Sequence, residues 1–181
     1  MKVSREQVAE NRRKILEAAS HLFRAKGFDA VTVADVMKAA GLPHGGFYGY
    51  FKSKDDLIAQ ALSHALFASM EGDIDLARFT KDYLSRQHCK NLAGGCATAG
   101  LGAETIRQSP EARAVMTEAL RKMINQFSKS APGATAAKRR RAAIGSWAAM
   151  VGALVLARMC NDEQLANEVL TQTRAWIGEM A

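Results

Sequence analysis

The segment TVADVMKAAGLPHGGFYGYFKSKDD, residues 32 to 56, constrains this chain more than any other stretch. Thr32 stands three residues before Asp35, the spacing at which a hydroxyl and a carboxylate cap the free amides of a helix start. Behind the cap, Val33, Val36, Met37 and Ala40 form a one-sided apolar stripe. Gly41 supplies the left-handed backbone that closes a helix, and Pro43 suits the first turn of a second one, where its missing N–H loses nothing. Two short helices joined by a glycine-containing turn of about three residues make a helix-turn-helix unit, whose second helix is the one that enters a DNA major groove.

The second helix, expected from Pro43 to about Tyr50, contains Gly45, Gly46 and Gly49. Each costs about 1 kcal/mol against alanine in a helix interior, so neighbours must hold the segment in place. A helix so bare can bring its backbone close to a duplex. Tyr48 and Tyr50 then offer hydroxyls to phosphates while Phe47 and Phe51 anchor it inward. The plainer alternative is that FYGYF is only an aromatic core cluster.

The run from Thr32 through GLPHGGFYGYFKSKDDL resembles the DNA-binding segment of the TetR family of bacterial transcription regulators, sharing the cap, the turn glycine, the aromatic pair and the following KSKDDL. By position, the resemblance implies phosphate contacts from Thr32, Tyr48, Tyr50 and Lys54, and base-edge reading at His44 and Gly45. Gly49 departs from the larger residue many relatives carry, which leaves contacts from that position without support. The segment from Tyr83 to Glu104 and the run GALVLARMCNDEQLANEVL also resemble the C-terminal half of one TetR subgroup, so the likeness covers most of the chain. It implies an all-α fold: a three-helix helix-turn-helix domain over residues 1–52, then a helical effector-sensing and dimerisation domain over 53–181. It further implies a homodimeric repressor on palindromic double-stranded operator DNA, with the last two long helices pairing as a four-helix interface. A small-molecule or thiol-reactive effector would release it.

Charge points the same way. Basic residues outnumber acidic ones 25 to 18. Residues 1–54 hold ten basic against five acidic, and the remainder fifteen against thirteen, so the excess sits with the motif. A basic surface concentrates polyanions and supplies sequence-independent affinity through counterion release. The chain's 181 residues, 48% of them hydrophobic, suffice for one or two domains with a substantial core. The longest apolar run, Trp147 to Ala157, falls short of the roughly 20 residues that cross a bilayer. The first residues lack the apolar block of a secretory signal, so a cytoplasmic protein without membrane attachment is expected.

In chain order, Ile15, Leu16, Ala19, Leu22 and Phe23 mark a helix from about Ser4 to Lys26. Arg5, Arg12, Arg13 and Lys14 lie off its stripe, either as a solvated face or as an arm reaching DNA. Leu57, Ile58, Ala61, Leu62, Ala65, Leu66 and Met70 predict the helix that follows the motif. A short segment from Leu76 to Leu84 comes next, then a loop over residues 85–96 that enters a helix at Cys96. Pro110 opens a helix with Val115, Met116, Ala119, Leu120, Met123, Ile124 and Phe127 on one face. A long helix carries KRRR at residues 138–141 and then a segment apolar almost all round, which requires burial on several sides, one of them against another subunit. A final helix is expected to turn Leu165, Val169, Leu170, Trp176 and Ile177 inward.

Cys89, Cys96 and Cys160 are an odd set that argues against a disulfide framework. With His88 their spacing matches no zinc pattern, and neither metal nor cofactor is expected. Cys96 follows two glycines at a predicted helix start, where a thiol is held as thiolate and becomes reactive. Its resemblance to regulators with a similar Gly-Cys entry implies a sensor of oxidants or electrophiles, against the plain reading of a buried packing residue. Met116, Leu120, Met123, Trp147, Met150 and Leu154 are the other effector candidates, as lining of an apolar pocket, against the reading of simple core. KRRR reads as a solvated face more readily than as an anion site. The competing classes are a helical protein-interaction module and a Cys/His enzyme. The second lacks an oriented third group, a glycine-rich phosphate loop or paired carboxylates beside Cys96 and His88, so no enzymatic activity is expected.

Overall fold

The computed structural model describes residues 4–67 and 72–179, and among these every regular element is a helix. In order they are α1 (Arg5–Lys26), α2 (Val33–Ala39), a 3-10 helix (His44–Gly49), α3 (Lys54–Phe67), α4 (Leu76–Tyr83), α5 (Arg86–Lys90), α6 (Ala97–Thr105), α7 (Pro110–Ser130), α8 (Ala136–Met159) and α9 (Glu163–Glu179). The all-α expectation holds. Met70, expected to extend the α3 stripe, lies outside the described residues.

The chain forms two compact units that do not follow its order. One gathers α1, α2, the 3-10 helix and α3 with Cys96–Thr117, which is α6 and the beginning of α7. The other holds α4, α5, the rest of α7 from Glu118, α8 and α9.

In the first unit, Ile15, Ala19 and Phe23 of α1 are buried with Phe28, Val36, Met37, Phe47, Phe51, Leu57 and Leu62. Ser4 caps α1 by accepting from the Gln7 amide, and Phe23 meets Phe28 edge-on at 5.2 Å. In α2 the predicted capping box is complete: the Asp35 amide donates to Thr32 Oγ1, and the Thr32 amide donates to Asp35 Oδ2. At its other end Gly41 takes φ +70°. The Gly41 amide donates to the Lys38 carbonyl and the Leu42 amide to Met37, so the last carbonyls are satisfied in a Schellman turn.

The second helix of the motif differs from expectation. It is a 3-10 helix rather than an α-helix, and Pro43 sits ahead of it with extended backbone, its carbonyl accepting from Gly46. Three glycines in six residues lower helix propensity by about 3 kcal/mol in sum, which leaves no margin for a free-standing α-helix. Phe47 and Phe51, stacked at 5.7 Å and buried to 1% and 2% exposure, return about 1.5–3 kcal/mol each. The segment is therefore pinned by its aromatics.

In the second unit, Phe79, Tyr83, Phe127 and Trp147 form one aromatic cluster, with Phe79 5.1 Å from Phe127 and Tyr83 5.4 Å from Trp147. Residues 85–96, expected to be a loop, contain α5, capped by Ser85 Oγ accepting from His88. Arg158 holds it by donating to the carbonyls of His88, Cys89 and Asn91. That contact between residues about 70 positions apart carries no local sequence signal.

α8 also departs from the reading of its apolar run. With 24 residues it is long and apolar enough to cross a bilayer, because Ala142, Ala143 and Ile144 extend the apolar run ahead of Trp147–Ala157. Here Ala143, Trp147, Met150, Ala153, Leu154 and Ala157 are buried within the second unit, and α8 packs on α9. Its other side is uncovered: Ile144, Leu156 and Met159 are exposed. On α9, Leu170 and Ile177 face inward as expected, but Leu165 and Trp176 are each 48% exposed. They lie eleven residues apart, three helical turns, on the face opposite the packed one. On α7, Leu120 is 44% exposed and leaves the expected inner face, on which Ala119, Met123, Ile124 and Phe127 remain buried.

Candidate nucleic-acid interface

The 3-10 helix sorts its side chains cleanly. Phe47 points into the core, while Tyr48 is 78% exposed. His44, Gly45 and Gly49 are exposed too, and a Cβ added at Gly45 or Gly49 would meet nothing within 4 Å. In a 3-10 helix residues three apart eclipse, so Gly45 lies on the same face as Tyr48. The result is a strip of bare backbone flanked by an imidazole and a phenol, open to a partner's close approach.

Tyr50, the residue that ends this helix, is half-buried and bonded. Its hydroxyl oxygen accepts from Asn11 Nδ2 of α1 at 2.9 Å, and Asn11 Oδ1 accepts from Gln7 Nε2 at 2.9 Å. Thr32 is exposed, but its hydroxyl hydrogen goes to Asp35 Oδ2 at 2.6 Å and its oxygen accepts from the Asp35 amide. These bonds hold the Asp35 carboxyl below its usual range, the Thr32 hydroxyl first and its amide second. Thr32 thus has no donor left over while the cap is closed, and its structural duty is α2. Lys54 opens α3 beside Ser53, whose hydroxyl accepts from the Asp56 amide. Asp56 is held below the usual carboxylate range first by the Lys52 amide, which donates at 2.9 Å.

Sequence reasoning missed several supports of this surface. Arg12, expected on a solvated face or an arm, lies 5.5 Å over the Phe51 ring and donates to Gln60 Oε1. Gln60 in turn donates to Asp56 at 2.6 Å, so α1 and α3 are tied to the segment that follows the 3-10 helix. Arg13 and Lys14, by contrast, pair with Glu10 and Glu17 on the surface, pairs worth little each. Glu104 of α6 accepts from the Phe28 amide at 2.7 Å and so holds the connector between α1 and α2. Gly27 takes φ +84° there, and a Cβ on it would stand 2.7 Å from Glu104 Oε1. The pairings of Arg12 with Gln60 and of Phe28 with Glu104 join distant positions and have no spacing that the sequence displays.

The effector candidates divide between the units. Cys96 is half-buried at the start of α6 and makes no capping hydrogen bond. Its neighbour is Arg24: burial lowers the Arg24 guanidinium from its usual range, and the charge interaction with Cys96 opposes that. Met116, within reach of the Thr98 hydroxyl at 3.9 Å, belongs to the same unit. Met123, Trp147, Met150 and Leu154 are buried in the second unit, Trp147 as a member of the aromatic cluster, and Leu120 is exposed. In KRRR, Arg139 and Arg140 are engaged, with the Gly133 carbonyl and Asn125 Oδ1 respectively, so the run is only partly a solvated face. Among the described residues no three His, Cys, Asp or Glu side chains cluster as metal ligands would.

Residues 15–61 match the family described as bacterial regulatory proteins, tetR family. The chain is 33% identical over 85 residues to the HTH-type transcriptional regulator AcrR of Shigella flexneri, a match covering 45% of this chain and 39% of that protein. To the HTH-type transcriptional repressor KstR2 of Mycolicibacterium smegmatis it is 36% identical over 56 residues, 31% of this chain and 27% of that one. The chain thus matches well under half the length of these relatives. The fold extends further: the crystal structure of E. coli NemR in its reduced form superposes with a TM-score of 0.72 at 22% identity, covering 94% of this chain and 96% of NemR.

Proposed function

We propose that this chain, whose residues 15–61 match the TetR family of bacterial regulatory proteins, is a cytoplasmic, non-enzymatic repressor that binds palindromic operator DNA as a homodimer. The exposed strip on the 3-10 helix carries this reading. Tyr48, Tyr50 and Lys54 contact phosphates, while His44 and the bare backbone at Gly45 reach base edges in the major groove. Thr32 acts mainly by capping α2. Residues 1–52 supply reading and residues 53–181 supply pairing and sensing, although the compact units cut the chain elsewhere.

Support for the pair comes from the apolar stripe of Ile144, Leu156 and Met159 on α8 with Leu165 and Trp176 on α9, all exposed in the single chain. A second copy across a two-fold axis buries it, and two reading heads then meet half-sites about one helical turn apart. For release we favour thiol chemistry at Cys96, half-buried with Arg24 as its charged neighbour. The other route is a small apolar effector among Met123, Trp147 and Met150, which are tightly packed within the second unit.

One gel-shift series tests the reading, using a duplex from upstream of the protein's own gene at several salt concentrations. Tyr48→Phe and Lys54→Ala should weaken the shift on every sequence, and Lys54→Ala should reduce the salt slope by about one. His44→Ala should also change base preference. Peroxide should abolish the wild-type shift and spare that of Cys96→Ser. Unchanged binding by both Tyr48→Phe and Lys54→Ala would refute the DNA-reading role, and identical peroxide responses would refute the thiol switch.

A further inference from the structure

We propose that Asn11, in the first half of α1, is a positioning residue for DNA binding: it fixes which way the Tyr50 hydroxyl points. The inference rests on the reading of Tyr50 as a phosphate contact and adds to it a residue that makes no such contact itself.

The argument is one of donors and acceptors. Asn11 Oδ1 accepts from Gln7 Nε2 at 2.9 Å, which leaves the amide nitrogen as the atom facing Tyr50. That nitrogen donates to the phenol oxygen at 2.9 Å in a part-buried bond. An amide nitrogen cannot accept, so the tyrosine hydrogen has no partner on the Asn11 side and must be directed elsewhere. Ser4 caps the Gln7 backbone amide, which fixes the turn from which the Gln7 side chain reaches Asn11. Because the Asn11 amide nitrogen donates to the phenol oxygen, the Tyr50 hydroxyl is left as a donor to an incoming acceptor. Phosphate oxygens accept and never donate, so a tyrosine fixed as a donor suits them and is discouraged from turning its hydrogen inward. Tyr50 also ends the 3-10 helix, its amide donating to the Phe47 carbonyl, so the ring is set by the same segment that presents Tyr48. Pre-setting a hydroxyl in this way reduces the ordering cost at binding.

A double-mutant cycle on Asn11 and Tyr50 tests this, read by the affinity of the full-length protein for the same upstream duplex. Tyr50→Phe and Asn11→Leu should each weaken binding by about three- to tenfold, the size of one hydrogen bond. In the Tyr50→Phe background, Asn11→Leu should cost less than about twofold, because there is no hydroxyl left to orient. Neither change removes a charge, so plots of log affinity against log salt should stay parallel to wild type. Asn11→Ala serves beside Asn11→Leu should the larger side chain lower the melting temperature. Wild-type affinity in Asn11→Leu with weakened Tyr50→Phe overturns the inference and leaves the reading of Tyr50 standing. An equal Asn11→Leu deficit in both backgrounds also overturns it, since the residue then acts on something other than Tyr50. Wild-type affinity in Tyr50→Phe removes the phosphate contact itself.

Discussion

Replacing Gly27 by alanine should destabilise the first unit by about 4 kcal/mol, and the structure divides that figure into two parts. Gly27 has φ +84° and ψ +168°, a region reserved for glycine, where a side chain costs on the order of 1–3 kcal/mol. Its new Cβ would also stand 2.7 Å from one Glu104 oxygen and 3.0 Å from the other. The carboxylate is the far end of a flexible side chain and can swing away. Doing so breaks the bond from the Phe28 amide, a charge-assisted contact worth about 1.5–3 kcal/mol. Taking about 2 kcal/mol for each part, the loss is a large fraction of the 5–15 kcal/mol that holds a typical domain. Glu104→Ala removes only the bond and should cost about 2 kcal/mol. The double variant should cost about 4 kcal/mol rather than 6, because the bond is lost once. Urea unfolding followed by circular dichroism measures the totals, and hydrogen exchange at the Phe28 amide reports the bond directly. A Gly27→Ala loss below about 1 kcal/mol, or strictly additive single losses, would show that the carboxylate does not clasp the connector.

Burial holds the His88 imidazole below its usual range near 6.5; the Arg158 charge acts in the same direction, and the Tyr83 carbonyl only partly opposes it. An unfolded chain therefore takes up this proton first, so the contribution is complete above pH 6.5 and is lost as pH falls through the lowered folded value. The melting temperature should fall from pH 7.5 towards 5 in wild type and stay flatter in His88→Gln; equal slopes would exclude His88 as the titrating group. Trp176→Glu places a charge on the exposed stripe of α9 and should weaken the dimer by at least about thirtyfold in sedimentation, since interface tryptophans carry 2 kcal/mol or more. An unaltered association constant would move the interface elsewhere.

Local rules read the chain well wherever the physics is local. Ser4, Thr32, Gly41 and Pro110 all mark the helix ends they were expected to mark, because a cap or a left-handed turn is decided within four residues. The outward Tyr48 and inward Phe47 were legible for the same reason. Pro43 misled, since proline fits both the first turn of a helix and the extended residue ahead of one. α5 was hidden because its stability comes from Arg158, far along the chain. Leu165 and Trp176 were assigned inward because apolar periodicity reports a face that wants covering and does not say whether the cover is the same chain. The roles of Asn11, Arg12 and Glu104 were hidden, because the partners of these polar residues are fixed only by tertiary structure.

The bond between Phe28 and Glu104 joins residues 76 positions apart, and this bears on how the molecule is made. At about 5–20 residues per second of synthesis, the ribosome finishes α3 several seconds before α6 has emerged. During that interval the nascent reading head lacks its clasp and waits half-built for a later part of its own polypeptide. Gene fragments that stop after α3 should inherit that unfinished condition permanently.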